Sequence, residues 1–224
     1  MADKPIAYWR LSDTTAAACR NEVSDRYTAQ YLGDVTLGQP GIFGNEGDKA
    51  VHFGEGSVLQ VAAAMGAAPL DFPNHVPFSF ELWIELDDRP DAAIAALFKD
   101  MIYPTAPTLG HWLLVGADKG IFWQRWARSA SFPSGVWAGA KGGMLTSAHF
   151  THVVVTSDGV ATVLYFDGMP NTGYINQPDA NTPANGSTFQ WGAINGGALD
   201  ELAIYDYKLG GDRVGAHFNA VNPR

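Results

Sequence analysis

His149-Phe-Thr-His-Val-Val-Val-Thr-Ser-Asp-Gly-Val-Ala-Thr-Val-Leu-Tyr-Phe-Asp-Gly168 is a stretch of two strand-forming runs joined by a tight turn. The first run, 151–156, is rich in β-branched residues, and Ser157-Asp158-Gly159 has the composition that closes a hairpin. The return strand, 161–166, ends at a second Asp-Gly, Asp167-Gly168. The pattern predicts an all-β fold whose antiparallel sheets are built from consecutive hairpins.

A second strand shows which side chains enter the core. In Phe78-Ser-Phe-Glu-Leu-Trp-Ile-Glu-Leu86, apolar residues alternate with Glu81, Trp83 and Glu85, and side chains of a strand point alternately to its two faces. Further strands are predicted at 6–11, 50–54, 58–61, 95–99, 111–115, 121–126, 189–193 and 199–205. Polar or glycine-rich segments predict a loop over 12–32, a turn at 38–41, and irregular connections over 100–110 and 127–143. Residues 210–219 predict a short C-terminal helix. The predicted core comprises Phe80, Leu82, Ile84, Val153, Val155, Val163 or Leu164, and Ile204.

Length and composition narrow the class of protein. A chain of 224 residues with 46% hydrophobic and 17% charged residues can bury a hydrophobic core without disulfide bonds or structural metal ions. We expect one domain over 1–224. The formal charge of −9 argues against nucleic acid, where binding depends on Lys and Arg, and against an anionic membrane surface.

Cysteine content and the N-terminus bear on the compartment. Cys19 is the only cysteine, so an intrachain disulfide is excluded. The first thirty residues lack the basic and apolar segments of a secretory signal, and no apolar stretch is long enough for a membrane helix. We therefore expect a soluble protein.

The order of the motifs resembles that of the laminin G-like jelly-roll domains of the concanavalin A-like lectin/glucanase superfamily. The resemblance extends over nearly the whole chain and implies a two-sheet antiparallel jelly-roll sandwich with at most a short C-terminal helix. It rests on Tyr8-Trp-Arg-Leu11, Gly38-Gln-Pro-Gly41, Ala50-Val-His-Phe-Gly54, Phe78-Ser-Phe-Glu-Leu-Trp-Ile84, the 149–168 block and Leu199-Asp-Glu-Leu-Ala-Ile-Tyr-Asp-Tyr-Lys-Leu209.

The resemblance also implies a class of function. Such domains bind sugars, proteins or cell surfaces, and similar modules occur in bacteriophage virion proteins. The expectation is a non-catalytic binding or structural module, displayed on an assembly such as a bacteriophage virion, that attaches to glycans or partner proteins. A homo-oligomer remains open.

Carboxylates on the predicted strand 78–86 and just after it raise an alternative, a glycan-active hydrolase of the same fold using Glu85 and nearby carboxylates. A retaining pair needs carboxyl groups about 5 Å apart. Glu81 and Glu85 are four residues apart, about 13 Å of strand rise, and are too distant. Glu85 and Asp87 are close enough, but Trp83 occupies the position of a third carboxylate. Catalysis is therefore not expected.

A structural calcium is frequent in the family, and the resemblance implies that Asp25 and Asp200 approach each other at one end of the sandwich. Calcium takes oxygen ligands, many from backbone carbonyls, so two carboxylates and a loop suffice. The early loop reads Ser24-Asp25-Arg26-Tyr27, without the family's usual glycine-rich run. Arg26 could replace the cation by pairing with Asp200, so both alternatives stay open.

Exposed aromatic residues are the other candidate binding groups, because sugar rings stack on aromatic faces. Four residues at the predicted strand end and in the adjoining connections make up this candidate platform: Tyr103, Trp126, Arg128 and Trp137. The same residues would equally serve a protein interface.

Overall fold

A computed structural model describes residues 3–15, 18–63, 70, 72, 75–87, 94–99, 111–116, 118–127, 136–146, 149–171, 174–175, 189–192 and 196–221. Its strands are β1 (Ala7–Trp9), β2 (Ala18–Cys19), β3 (Tyr27–Leu32), β4 (Val35–Pro40), β5 (Lys49–Phe53), β6 (Val58–Ala63), β7 (Phe78–Leu86), β8 (Ile94–Lys99), β9 (His111–Val115), β10 (Gly120–Ala127), β11 (Val136–Met144), β12 (Thr151–Ser157), β13 (Thr162–Phe166), β14 (Met169–Asn171), β15 (Tyr174–Ile175), β16 (Phe189–Gly192) and β17 (Gly197–Tyr205). One helix, α1 (Gly211–Val221), follows them.

The strands form two antiparallel sheets. Sheet A has the order β14-β13-β12-β7-β17-β5-β4, with β1 also paired to β17. Sheet B has the order β15-β11-β10-β9-β8-β16-β6-β3-β2. Neighbours in these orders are often distant in sequence, as in a jelly roll, and the predicted two-sheet antiparallel sandwich is confirmed.

The hairpin at 149–168 fixes the centre of sheet A. Val155 pairs with Leu164 on β13 and, on its other side, with Phe80 on β7. At the turn Gly159 has φ +92°, a left-handed conformation that glycine adopts without steric cost. The hairpin predicted from the Asp-Gly turn is thereby confirmed.

The core lies between the sheets and follows the alternation of β7. Its apolar residues 80, 82 and 84 are buried in the core together with Val153, Val155, Leu164 and Ile204. Of the two alternatives at 163 and 164, the core residue is Leu164, whereas Val163 packs on the opposite face. The predicted core is confirmed.

Several segments predicted as loops or turns are strands. β3 lies within the predicted loop 12–32, where buried Tyr27 and Ala29 alternate with exposed Thr28 and Gln30. The exposed polar residues give this segment the composition of a loop, so the loop prediction was wrong here. The predicted turn 38–41 belongs largely to β4, whose pairing with β5 is irregular between Thr36 and Gln39.

The glycine-rich connection predicted over 127–143 likewise contains β11. A Cβ added at Gly139 would collide with the main-chain carbonyl of Trp123 on β10, so the glycine allows close approach of the two strands. Trp137 therefore lies on a strand rather than in a loop. The second predicted connection, 100–110, lies outside the described residues.

The outward face of sheet A is covered by the C-terminal helix. A second apolar cluster there joins Tyr165 on β13 and Tyr205 on β17 to Val214 of α1. The predicted short helix is confirmed, and the face that it covers carries most of the ionisable groups described below.

Candidate functional sites

A bulge in β17 brings two consecutive carboxylates to the same side of sheet A. Asp200 pairs with Trp83 and Ala203 with Glu81, so three residue steps on β17 match two on β7. Glu201 lies at the irregularity with φ +50°, a conformation that costs energy for a residue other than glycine. Because Leu199 and Leu202 both reach the core, the two acidic residues between them lie on the outward side.

Asp48, Asp200 and Glu201 form an acidic cluster in which one oxygen of each lies within 4.8 Å of the others. Asp200 and Asp48 are buried, and Gly41 lies against both, because a Cβ there would collide with Asp48 and lie 3.0 Å from Asp200 Oδ2. Backbone amides of the adjoining loop bind them: Ile42 N donates to Asp200 Oδ2 at 3.0 Å and Phe43 N to Asp48 Oδ2 at 2.7 Å. The loop and the cluster therefore hold each other in place.

The cluster has the chemistry of a calcium site. Asp48 Oδ1 is buried without a hydrogen-bond partner among the described residues. Burial raises the pKa of Asp200 to about 8, and the neighbouring charges of Glu201 and Asp48 add to this shift. Carboxylates held together out of water favour a hard divalent cation, which takes oxygen ligands. The three residues fit Ca²⁺ in type and proximity.

The ligand pair expected from the sequence is only partly represented in this cluster. Asp200 is a member, whereas Asp25 is an exposed residue before β3 and is not. Arg26 is also exposed, and within the described ranges Asp200 makes no ion pair with it. Asp48 was not among the calcium ligands expected from the sequence. Its position directly before β5, seven residues after Gly41, is the sequence feature that could have suggested it.

Two of the four aromatic-platform candidates are brought together by the structure. Trp126 on β10 lies directly opposite Trp137 on β11 in the register of the hairpin. Directly opposed positions of an antiparallel pair belong to the same face of the sheet. Tyr103 and Arg128 lie outside the described residues.

The alternation along β10 identifies that face. Ile121 and Trp123 are fully buried in the core, so positions 122, 124 and 126 belong to the side of sheet B away from it. On this side Lys141 Nζ lies 4.7 Å from the centre of the Phe122 ring. The row of positions that includes both tryptophans therefore faces away from the sandwich interior.

Glu81 on β7 is a buried carboxylate with several hydrogen-bond donors around it. Its Oε1 accepts a hydrogen bond from His152 Nε2 at 2.8 Å and its Oε2 one from the Tyr205 hydroxyl at 2.8 Å. His217 Nδ1 of α1 lies 2.9 Å from Oε1. Burial opposes ionisation of Glu81, but the hydrogen bonds from His152 and His217 outweigh it and lower the pKa to about 2.

His217 is held by carboxylates on both sides. Its Nε2 lies 2.9 Å from Asp3 Oδ2, and Arg213 also binds Asp3. The hydrogen bond to Glu81 raises the pKa of His217 to about 9, although partial burial opposes protonation. The imidazolium therefore ties α1 both to β7 and to the N-terminal segment.

The carboxylates considered for hydrolysis are not arranged as a free pair. Glu81 is engaged as above, and Asp87 binds His52 Nε2 at 3.0 Å. Glu85 lies between them on the same strand face, half-buried. Of these three carboxylates, Glu85 alone has no hydrogen bond or ion pair with a described residue, so the hydrolase alternative has one unengaged carboxylate in this part of the chain and not two.

A cavity of about 210 Å³ lies between α1 and the outward face of sheet A. Glu81, Trp83 and Tyr205 line it from the sheet, and His217 lines it from the helix. Ile42 and Phe43, from the loop that binds the acidic cluster, complete this wall. Sequence reasoning missed the cavity because Glu81 and His217 are separated by 136 positions.

Comparisons with known proteins agree with this architecture. A family model described as the concanavalin A-like lectin/glucanases superfamily, of the laminin G-like type, matches residues 54–215. A search of curated protein sequences gives no significant match. Among the described residues, no helix combines the length and apolar character needed to cross a bilayer.

Among the solved structures with the same fold are two toxin binding domains. The botulinum neurotoxin serotype D binding domain superposes with TM-score 0.71 at 12% identity, and the binding domain of Paraclostridial Mosquitocidal Protein 1 with 0.68 at 14%. These alignments cover 97% and 96% of the chain but 52% and 51% of the toxin domains, so the chain spans about half their length.

A third structure matches over nearly the full length of both chains. Domain 4 of AbnA, a GH43 extracellular arabinanase from Geobacillus stearothermophilus, solved in complex with arabinotriose, superposes with TM-score 0.66 at 18% identity. The alignment covers 95% of the chain and 97% of that domain.

Proposed function

Because the chain belongs to the laminin G-like family of the concanavalin A-like lectin/glucanase superfamily, we propose that it is a non-catalytic module that binds glycans. The arabinanase domain in complex with arabinotriose, which matches over nearly the whole of both chains, supports the ligand class. The toxin binding domains, for one of which a receptor-binding role is given, support a role in binding rather than in catalysis.

The observation that carries the proposal is the pairing of Trp126 with Trp137 on the side of sheet B away from the core. Aromatic rings offer faces on which the C–H edges of sugar rings stack, and two neighbouring aromatic positions can engage successive sugar units. We place the glycan on this row, with Phe122 and Lys141 further along it. Tyr103 and Arg128 remain proposed contributors from the adjoining segments.

The proposed absence of catalysis rests on the carboxylates of β7. Glu81 accepts hydrogen bonds from two histidines and a tyrosine, and Asp87 is bound to His52, so neither is free to serve as acid or nucleophile. Glycoside hydrolysis needs two carboxyl groups in defined separation. Among the described residues, the carboxylates that share a strand face with Glu85 are therefore both engaged elsewhere.

We propose a structural Ca²⁺ at Asp48, Asp200 and Glu201. The unpartnered oxygen of Asp48 and the convergence of three carboxylates support it. The cation would stabilise the loop that carries Ile42 and Phe43, since the backbone amides of that loop already bind the same carboxylates. It would act on stability rather than on chemistry.

The carrier of the module is proposed to be an assembly such as a bacteriophage virion, where many copies face a host surface. A partner protein of the particle, or a second copy of the chain, would hold the module there. Multivalent display suits weak glycan sites, because linked copies gain avidity without new contacts. Co-sedimentation of the protein with intact particles tests this point.

A glycan microarray probed with the wild-type chain and with the Trp126→Ala/Trp137→Ala double variant tests the function. We expect the wild type to retain a defined set of oligosaccharides and the double variant to lose them. A wild type that binds no glycan would contradict the proposal.

A further inference from the structure

The cavity beneath α1 has walls that are mainly apolar and aromatic. Tyr8, Phe43, Trp83 and Tyr205 line it, together with short aliphatic side chains of α1 and β17. Its volume of about 210 Å³ equals that of roughly seven waters at ~30 Å³ each. A ligand the size of one small organic group would therefore fill it.

The charged groups that line the cavity are two carboxylates and one imidazolium. The imidazolium, His217, has both ring nitrogens within hydrogen-bond distance of carboxylates, Glu81 and Asp3. Among the described residues that line the cavity, His217 is the one positive group, and its charge is already neutralised by these carboxylates. Anions are disfavoured in this cavity.

The second carboxylate, Glu201, has an oxygen available. The Tyr8 hydroxyl donates to Oε2, whereas Oε1 is buried and accepts no hydrogen bond from any described residue. Arg10 Nε lies 3.5 Å from Oε1 and partly compensates this carboxylate, but among the described residues Arg10 is the one cation in an ion pair with the cluster of three carboxylates, Asp48, Asp200 and Glu201. A cation in the cavity would meet an incompletely compensated negative charge.

Few polar groups remain for a neutral polyol. Glu81 is occupied by His152, His217 and Tyr205, so Glu201 Oε1 could accept from one hydroxyl of a sugar and the remaining hydroxyl groups would lack partners. Burying hydroxyl groups without hydrogen bonds is unfavourable. An organic cation with an apolar surface has no such requirement.

We propose that this cavity binds a small organic ammonium ion, with its alkyl groups against Tyr8, Phe43, Trp83 and Tyr205 and its charge directed to Glu201. Aromatic residues together with a carboxylate are the recurring means of recognising alkylated ammonium groups, through the attraction between a cation and the faces of the rings. The site is separate from the tryptophan pair on sheet B and does not depend on glycan binding.

Glu201 also belongs to the acidic cluster, so a cation bound at either site disfavours binding of a cation at the other. A divalent cation at Asp48, Asp200 and Glu201 would compete for the Glu201 carboxylate and repel an ammonium ion beside it. Ammonium binding is therefore measured in chelator and again in calcium, and we expect weaker binding in calcium. Ammonium binding in chelator does not depend on whether calcium binds, so failure of one proposal is distinguishable from failure of the other.

The experiment is a saturation-transfer NMR titration of the whole chain with tetramethylammonium chloride, at ionic strength held constant with sodium chloride and with chelator present. tert-Butanol, which is neutral and similarly branched, is the control ligand. We expect the ammonium ion to bind and tert-butanol to bind at least tenfold more weakly.

Matched variants locate the site. Glu201→Gln should weaken tetramethylammonium binding about tenfold, whereas Glu46→Gln, an exposed glutamate of the neighbouring loop, should leave it unchanged. Phe43→Ala should weaken binding several-fold, and Leu32→Ala, similarly exposed but outside the cavity, should not. Thermal melts confirm that each variant is folded.

Absence of saturation transfer to the ammonium methyl groups would overturn the proposal. Equal binding of tert-butanol would also overturn it, because the carboxylate would then contribute nothing. Glu201→Gln remaining folded with wild-type ammonium affinity would be equally decisive against it.

Discussion

His217 on α1 lies 2.9 Å from Glu81 Oε1 on β7, and this ion pair joins the last helix of the chain to the middle of sheet A. His152 and Tyr205 complete the ligation of Glu81, and Asp3 binds the other ring nitrogen of His217. The contacts bring the N-terminal segment, two strands and α1 into one polar network. Anchoring of α1 by this network holds in place the helical wall of the cavity that lies beneath it.

Replacing His217 should destabilise the protein. In His217→Gln the charge opposite Glu81 and Asp3 is lost, leaving a buried carboxylate with fewer donors, and we expect a loss of about 2–3 kcal/mol in the free energy of unfolding. Urea denaturation at pH 7 measures it. Asn219→Gln, an exposed position of the same helix, is the control and should change stability by less than about 0.5 kcal/mol.

The same pair predicts how stability depends on pH. The pKa of His217 is raised from 6.5 to about 9, so its contribution is complete below pH 6.5 and is lost as pH rises through 9. The pKa values of Glu81 and Asp3 are lowered to about 2, so their contributions are present above about pH 4.5 and are lost as pH falls through 2. Wild type should therefore lose more stability than His217→Gln between pH 6.5 and 9.5. Parallel curves over that range would contradict the assignment.

Much of the fold could be predicted because its signals are local. The Asp-Gly turn and the β-branched runs around it specify the hairpin of β12 and β13, and the alternation in β7 separates Phe80 and Leu82 from Glu81 and Trp83. The sequence pattern did not predict β3 and β11 as strands, for two different reasons. One has polar outward residues, and the other has glycines that only close packing against β10 explains.

The candidate sites were less predictable because they depend on long-range register. No local pattern places Asp48 beside Asp200, since their proximity requires the bulge in β17 and the loop that ends at β5. The network of Glu81 and His217 likewise needs the position of α1 on sheet A. Trp126 and Trp137 were recognisable as aromatic candidates, whereas their direct opposition required the register of β10 and β11.

Calcium should raise the melting temperature. A ligand that binds the folded chain alone stabilises it by about 2.7 kcal/mol at a hundredfold excess over Kd, or roughly 5–10 °C for a chain of this length. Asp200→Ala should abolish this increment while the sandwich stays folded, and Asp25→Asn should retain it because Asp25 is not in the acidic cluster. Differential scanning fluorimetry in calcium and in chelator gives both values. An unchanged wild-type midpoint would rule against the site.

Glu85 should be dispensable for function. Glu85→Gln keeps the shape of the side chain and removes its charge, and we expect glycan affinity within error of the wild type, because no catalytic role is assigned to it. Incubation of the wild type with arabinan and other polysaccharides should release no reducing ends. If the wild type cleaves a polysaccharide and Glu85→Gln does not, the protein is a hydrolase and the assignment as a non-catalytic binding module is wrong.

The most direct test of the central claim is the affinity of single tryptophan variants for the oligosaccharide selected on the array. Isothermal titration should show that Trp126→Ala and Trp137→Ala each weaken binding by about 1–2 kcal/mol, roughly five- to thirtyfold, through loss of one stacking face. Met144→Ala, an exposed position on β11, should bind like the wild type. Full affinity in both tryptophan variants, with their melting temperatures unchanged, would contradict glycan binding at the β10–β11 pair.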